Sequence, residues 1–209
     1  MNRLLAFILL LVTSNVVLAQ EVAMNASEIE AFKQQVNMLS KNTNTITSDF
    51  VQYKHLDFLE NDIETKGKLA FKTPGLVRWE YTDPYEYSVV FKEDKLLIND
   101  GGTKSNVDIG NSEMFKKLNN LIVNSVKGTL FNGDDFLITY TKTKDFNKAT
   151  FVPKDKKMAQ YIASFELLFN TKDGTVKEVK MIEPSADFTR IVFSNRVLNG
   201  PVSDAVFTN

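Results

Sequence analysis

The chain has 209 residues, 25 basic against 26 acidic, and a formal net charge of −1 at neutral pH. Nothing in that balance calls for nucleic acid. The absence of cysteine rules out disulfides, thiol catalysis and thiolate metal sites. The length suits one domain large enough to bury a real core.

Asn2-Arg3 is a small basic start, Leu4 to Val12 an apolar run, and Val17-Leu18-Ala19 a small-residue cleavage site. This is the pattern of a secretory signal peptide, too short for a comfortable membrane span, with a retained anchor as the weaker alternative. The expectation is cleavage after Ala19, leaving a single domain over 20–209. With no cysteine to carry a lipid, the product is expected to be a soluble, monomeric protein of the periplasm.

Residues 27–40 read as a helix, with Ser27 and Glu30 as a capping box and Ile29, Phe32, Val36 and Leu39 as a narrow apolar stripe. Residues 46–58 read as a long strand. Phe50, Gln52, Lys54, Leu56 and Phe58 alternate with Val51, Tyr53 and His55, so neither face is cleanly apolar.

The stretch Gly67 to Phe91 carries the clearest pattern. Thr65, Gly67, Leu69 and Phe71 share one face, against Glu64, Lys66, Lys68 and Lys72. After Thr73-Pro74-Gly75-Leu76, which suits a type II turn with Gly75 at positive φ, Val77, Trp79 and Tyr81 alternate with Arg78 and Glu80. Asp83-Pro84 turns the chain again, and Tyr85, Tyr87, Val89 and Phe91 continue the apolar face. The product is an antiparallel meander with one aromatic face and one charged face.

Residues 95–99 form a further strand, ended by Asp100-Gly101-Gly102, and residues 104–109 its partner. The periodicity then changes: Met114, Phe115, Leu118, Leu121, Ile122 and Val126 fall at helical spacing over 111–127, with Gly128 after the end. Strands follow at 136–141, 148–152, 162–170, 176–183 and 188–194, with Asp173-Gly174 placed for a tight hairpin and residues 203–208 as a short edge strand. About ten strands in sequence favour a strongly curved sheet over a flat one. The fold class is α+β: a strongly curved antiparallel sheet, with helices covering its open, apolar side.

Catalytic chemistry is scarce. His55 is the only histidine, so there is no cluster for a metal and no support for a histidine triad. Asp134-Asp135 and Asp100-Gly101-Gly102 lack the spacing of a calcium loop. No phosphate loop or nucleophile elbow occurs. The reading is a protein that is not an enzyme, with no cofactor and no metal. The apolar stripe over 111–131 fits a helix packed permanently as core, the reading pattern alone favours, or a lid over an apolar cavity; periodicity does not separate them.

Asp49-Phe50-Val51-Gln52, the run from Gly67 to Tyr81 and Asp83-Pro84 together resemble, in order and spacing, the LolA family of periplasmic lipoprotein carriers. The insertion from Asn111, Phe151-Val152-Pro153-Lys154 and Asp173-Gly174 continue the likeness over nearly the whole mature chain. The resemblance implies an incomplete β-barrel whose open side is covered by helices. It also implies a carrier that takes acylated lipoproteins from an inner-membrane ABC exporter to an outer-membrane acceptor. It places cargo against a wall and lid made of Leu69, Phe71, Trp79, Tyr81, Tyr87, Val89, Phe91, Phe115, Leu118, Leu121 and Ile122, and partner docking on a rim at Pro74, Gly75, Leu76 and Val77. An alternative is a LolA-like protein for a different lipid or hydrophobic cargo, or an acyl-chain-sensing signalling domain. One departure stands out: family members often carry Arg before the turn proline as a fastening for the lid, and here that residue is Thr73. A hydroxyl cannot replace a five-donor guanidinium.

Overall fold

The computed structural model describes residues 21–92, 94–109 and 135–208. The expected signal peptide (1–19) and the helical insertion (111–127) lie outside the described residues. What is described is one twelve-stranded antiparallel sheet, open at both edges rather than closed into a barrel.

The strands are β1 (Val22–Ala23), β2 (Thr45–His55), β3 (Ile63–Lys72), β4 (Leu76–Asp83), β5 (Tyr87–Lys92), β6 (Lys95–Asp100) and β7 (Thr103–Asp108). Then come β8 (Phe136–Lys142), β9 (Phe146–Pro153), β10 (Ser164–Asn170), β11 (Val176–Ile182) and β12 (Phe188–Leu198). Their spatial order is β1-β8-β9-β10-β11-β12-β2-β3-β4-β5-β6-β7. Two meanders, β2 to β7 and β8 to β12, are thus joined where β12 pairs with β2.

Helix α1 (Ala26–Lys41) begins slightly earlier than the apolar spacing implies. Its cap is Asn25, whose Oδ1 accepts from Glu28 N at 3.0 Å, while Glu28 Oε2 accepts from Asn25 N at 3.0 Å. Asn and Ser are near-equal caps, and Asn25-x-x-Glu28 overlaps Ser27-x-x-Glu30, so two registers compete in one short stretch. The helix buries Phe32 and Val36 against β8 to β11, where Ala149, Phe151, Leu167, Phe169 and Val176 complete a core. A short helix, α2 (Lys156–Ala159), is capped by Asp155.

Three local expectations are corrected. Gly75 is not among the positive-φ glycines, which are Gly101, Gly102 and Gly174, so the turn after β3 is not type II; the peptide bonds before Pro74 and Pro84 are both cis. Gly174 does take positive φ, but the β10–β11 connection is longer than a tight hairpin, closed by Gly174 N–H donating to Asn170 O at 2.9 Å. The tail forms a 3-10 helix (Asp204–Phe207) instead of an edge strand. Phe207, only 1% exposed, finds an apolar seat there, while Arg78 Nη1 donates to Val206 O at 3.4 Å.

Candidate functional site

The register of β2 to β5 puts Phe50, Gln52, Gly67, Leu69, Phe71, Val77, Trp79, Tyr81, Tyr87, Val89 and Phe91 on one concave face. Within that face depth differs. Leu69 (2% exposed), Phe71 (0%) and Val77 (0%) are fully buried with Ile46 and Phe50 in a core cluster. Trp79, Tyr81 and Phe91 pack on that cluster from above.

Phe50 is placed by a glycine. It pairs directly with Gly67, and a Cβ at Gly67 would lie 2.0 Å from Glu80 O and 2.4 Å from Phe50 Cζ. Only a bare α-carbon lets the Phe50 ring cross β3 and reach Trp79, at 4.4 Å between centroids, and Tyr81, edge-on at 5.5 Å. Tyr81 donates to Gln52 Oε1 at 3.0 Å. Burial pushes the Tyr81 hydroxyl's pKa up, with Trp79 and Gln52 acting the other way. Even so, the Trp79 Nε1–H is buried without a well-formed hydrogen bond.

Above these rings lies a cavity of about 310 Å³. One wall is Trp79, Tyr81, Tyr87, Val89 and Phe91; the other is Val176, Val179, Ile191 and Phe193, with Gln52 and Arg196 as its polar members. Among the described residues the lining is overwhelmingly apolar and holds no carboxylate. Such a surface excludes water and accepts hydrocarbon, and those residues include no nucleophile–base pair with which to react. His55, far down β2, sits 2.8 Å from Asp62 and stacks on Phe188 at 4.6 Å.

Residues 41–209 match the family described as Outer membrane lipoprotein carrier protein LolA. The chain belongs to the LolA family. Among curated LolA-family relatives it is 26% identical to an outer-membrane lipoprotein carrier protein of Pseudomonas paraeruginosa, over 91% of this chain and 89% of that one. It is also 26% identical to one of Francisella tularensis, over 88% and 86% respectively. Among solved structures, a chain of the Pseudomonas aeruginosa MucA/MucB complex superposes with a TM-score of 0.52 at 13% identity, covering 86% of this chain and 61% of that one. A conserved protein of Thermus thermophilus does so with a TM-score of 0.51 at 7% identity, covering 87% and 93%. At these identities the structures speak to the fold alone.

Set on this cavity, the cargo residues singled out from sequence divide three ways. Trp79, Tyr81, Tyr87, Val89 and Phe91 come together on its wall. Leu69 and Phe71 share that face but lie beneath it as core. Phe115, Leu118, Leu121 and Ile122 lie outside the described residues. At the suggested rim Pro74 is exposed, Gly75 and Leu76 half-buried, and Val77 turned into the core. Thr73 holds the turn through its backbone, donating to Asn44 O at 2.9 Å. The far wall, from β11 and β12, is not apparent from the sequence pattern. Val179 and Ile191 pair across the two strands in a run broken by Lys180 and Arg190, so no single strand there reads as purely apolar.

Proposed function

We propose that this protein is an exported carrier, cleaved after Ala19, that shields the acyl chains of lipoproteins in the cavity of its concave face. In this reading it carries them across the periplasm from an inner-membrane ABC exporter toward an outer-membrane acceptor. The observation that supports it most is the apolar cavity itself, open between two aromatic and aliphatic walls in a LolA-family sheet. A shield of this kind is physically required, because each acyl methylene exposed to water costs about 0.8 kcal/mol. The apolar stripe Phe115, Leu118, Leu121 and Ile122 is proposed as the lid, and the turn at Pro74 to Val77 as the docking rim. Because Val77 is buried, docking on that rim falls to Pro74 and Leu76. No helix among the described residues is long and apolar enough to cross a membrane.

The test is mass spectrometry of what co-purifies with the protein from the periplasm, compared with Leu118→Glu and Ile122→Glu variants. Acylated lipoproteins bound to the wild type and reduced in the variants are the expected result, since a carboxylate set against lipid is costly ionised or neutral. Absence of any acylated species from the wild type overturns the reading. Variants that unfold outright would make the helix a fixed core element instead.

A further inference from the structure

The cavity lining carries one cation among its described residues, and the backbone is bent to put it there. Along β12, Ile191 and Phe193 face the cavity, so simple alternation would send Asn195 inward and Arg196 out. Between Ser194 and Val197 the register with β2 shifts, and Asn195 takes φ +50, a left-handed conformation that Asn tolerates better than most residues. The irregularity reverses the alternation. Asn195 faces outward and donates from Nδ2 to Asp49 Oδ2 at 2.8 Å, whereas Arg196 lines the cavity. Bulges that re-aim a single side chain in this way recur beside binding sites.

Inside, Arg196 has no carboxylate. The other described arginines each have one: Arg78 Nη2 sits 3.1 Å from Glu80 and Arg190 Nη1 3.4 Å from Glu178. Among the described residues the guanidinium of Arg196 has only the ring of Phe193, its Cζ 5.1 Å from the centroid. The one acid whose charge it feels is Asp173, whose Oδ1 is already taken by Thr175 N at 2.9 Å and Thr175 Oγ1 at 2.7 Å. Burial pulls the Arg196 pKa down to about 10, with the field of Asp173 acting the other way, so the guanidinium stays charged although no carboxylate of the described residues lies within ion-pair distance. A desolvated, unpaired cation is expensive and is stabilised most by a bidentate oxyanion. Nothing about acyl-chain binding alone calls for it.

We propose that the cavity selects an anionic amphiphile: a hydrocarbon chain lies on the Trp79–Phe91 wall while a carboxylate or phosphate pairs with the Arg196 guanidinium. This rests on the same cavity taking acyl chains but goes beyond the carrier reading, because the ester- and amide-linked chains of a lipoprotein bring no anion of their own. It assigns Arg196 as the residue that distinguishes charged from neutral lipid.

Trp79, the only tryptophan of the chain, lies in the cavity wall, so its fluorescence reports occupancy directly. The intact mature protein is titrated with palmitate, hexadecyl phosphate and the neutral methyl palmitate. The expected result is binding of at least one of the two anions roughly 10- to 100-fold tighter than the ester. Which anion binds tighter distinguishes a fatty-acid carboxylate from a lipid phosphate. Arg196→Met removes that preference, so that anions and ester bind alike, and Arg196→Lys restores part of it. Equal affinity of the wild type for all three ligands overturns the proposal but leaves the acyl cavity standing; failure to bind any of them overturns the cavity reading as well. Should Arg196→Met fail to fold, the wild-type preference for an anion, and its weakening at high salt, decide the same question.

Discussion

The concave face has two halves built from the same materials and finished differently. Over β8 to β11 the helix α1 lowers Phe32 onto Phe169 at 5.0 Å and Tyr140 at 6.2 Å, both edge-on, and the space is filled. From β12 to β5 the rings of Phe50, Trp79 and Tyr81 make a comparable floor, yet a cavity of about 310 Å³ stands above it. Aromatic residues on a sheet therefore do not decide between core and binding site; what is set over them does. The filled half is packed by its own helix, and the other half leaves apolar surface that none of the described residues covers.

Substitutions that act on one half and spare the other test this division. The largest effect is expected from Phe169→Ala, which empties a fully buried site under α1 and should cost about 3–5 kcal/mol in urea unfolding. Val89→Ala, on the cavity wall, should change stability by no more than about 1 kcal/mol while weakening acyl-ligand binding. A reversed ranking would show that the cavity half carries the fold. Next, Gly67→Ala forces a methyl against Glu80 O and the Phe50 ring and should cost about 1–3 kcal/mol, with a shift in Trp79 emission as Phe50 is displaced. An unaltered spectrum would mean that Phe50 does not set the cavity floor.

The smallest effect concerns how α1 is fastened. Asn25→Ala removes the cap and should cost about 1 kcal/mol. Glu28 is held below its ordinary 4.5, first by the hydrogen bond from Lys142 and then by the Asn25 backbone N–H. A depressed carboxyl contributes stability above its unfolded value and loses it as pH falls through the folded one. Stability should therefore fall with pH below about 4.5, and Glu28→Gln should flatten that limb by lowering neutral-pH stability toward the acid value. Urea unfolding followed across that pH range checks it; parallel curves for wild type and variant would mean that Glu28 does not fasten the helix.

The sequence was most legible where each strand has one apolar and one charged face, as in the meander from Gly67 to Phe91, where Gly67 pairs with Tyr81, Leu69 with Trp79, Phe71 with Val77 and Trp79 with Val89 on one face. Alternation names a face but not a depth, so Leu69 and Phe71 read the same as Trp79 and Tyr81 although the first two are core. Arg196 was illegible for a different reason: a bulge changes the parity of a strand, and nothing in Ser-Asn-Arg-Val announces one. Residues 46–58 read as one strand, but β2 ends at His55 and Phe58 stands 79% exposed in the following turn. Strand β1, two residues long, is too short to carry any pattern.

The pairing of β12 with β2 has a consequence for the order of assembly. It joins residues such as Thr47 and Val197, or Phe50 and Phe193, that are separated by most of the chain. A polypeptide emerging from its N-terminus, whether from a ribosome or through a translocation channel, can build β2 to β7 and then β8 to β11 as separate ribbons. Their central seam, and with it the floor beneath Phe193 and Arg196, closes only after residue 198 is free. Closure of so long a loop is slow compared with forming a hairpin. The cavity is thus incomplete until nearly all of the chain has been made.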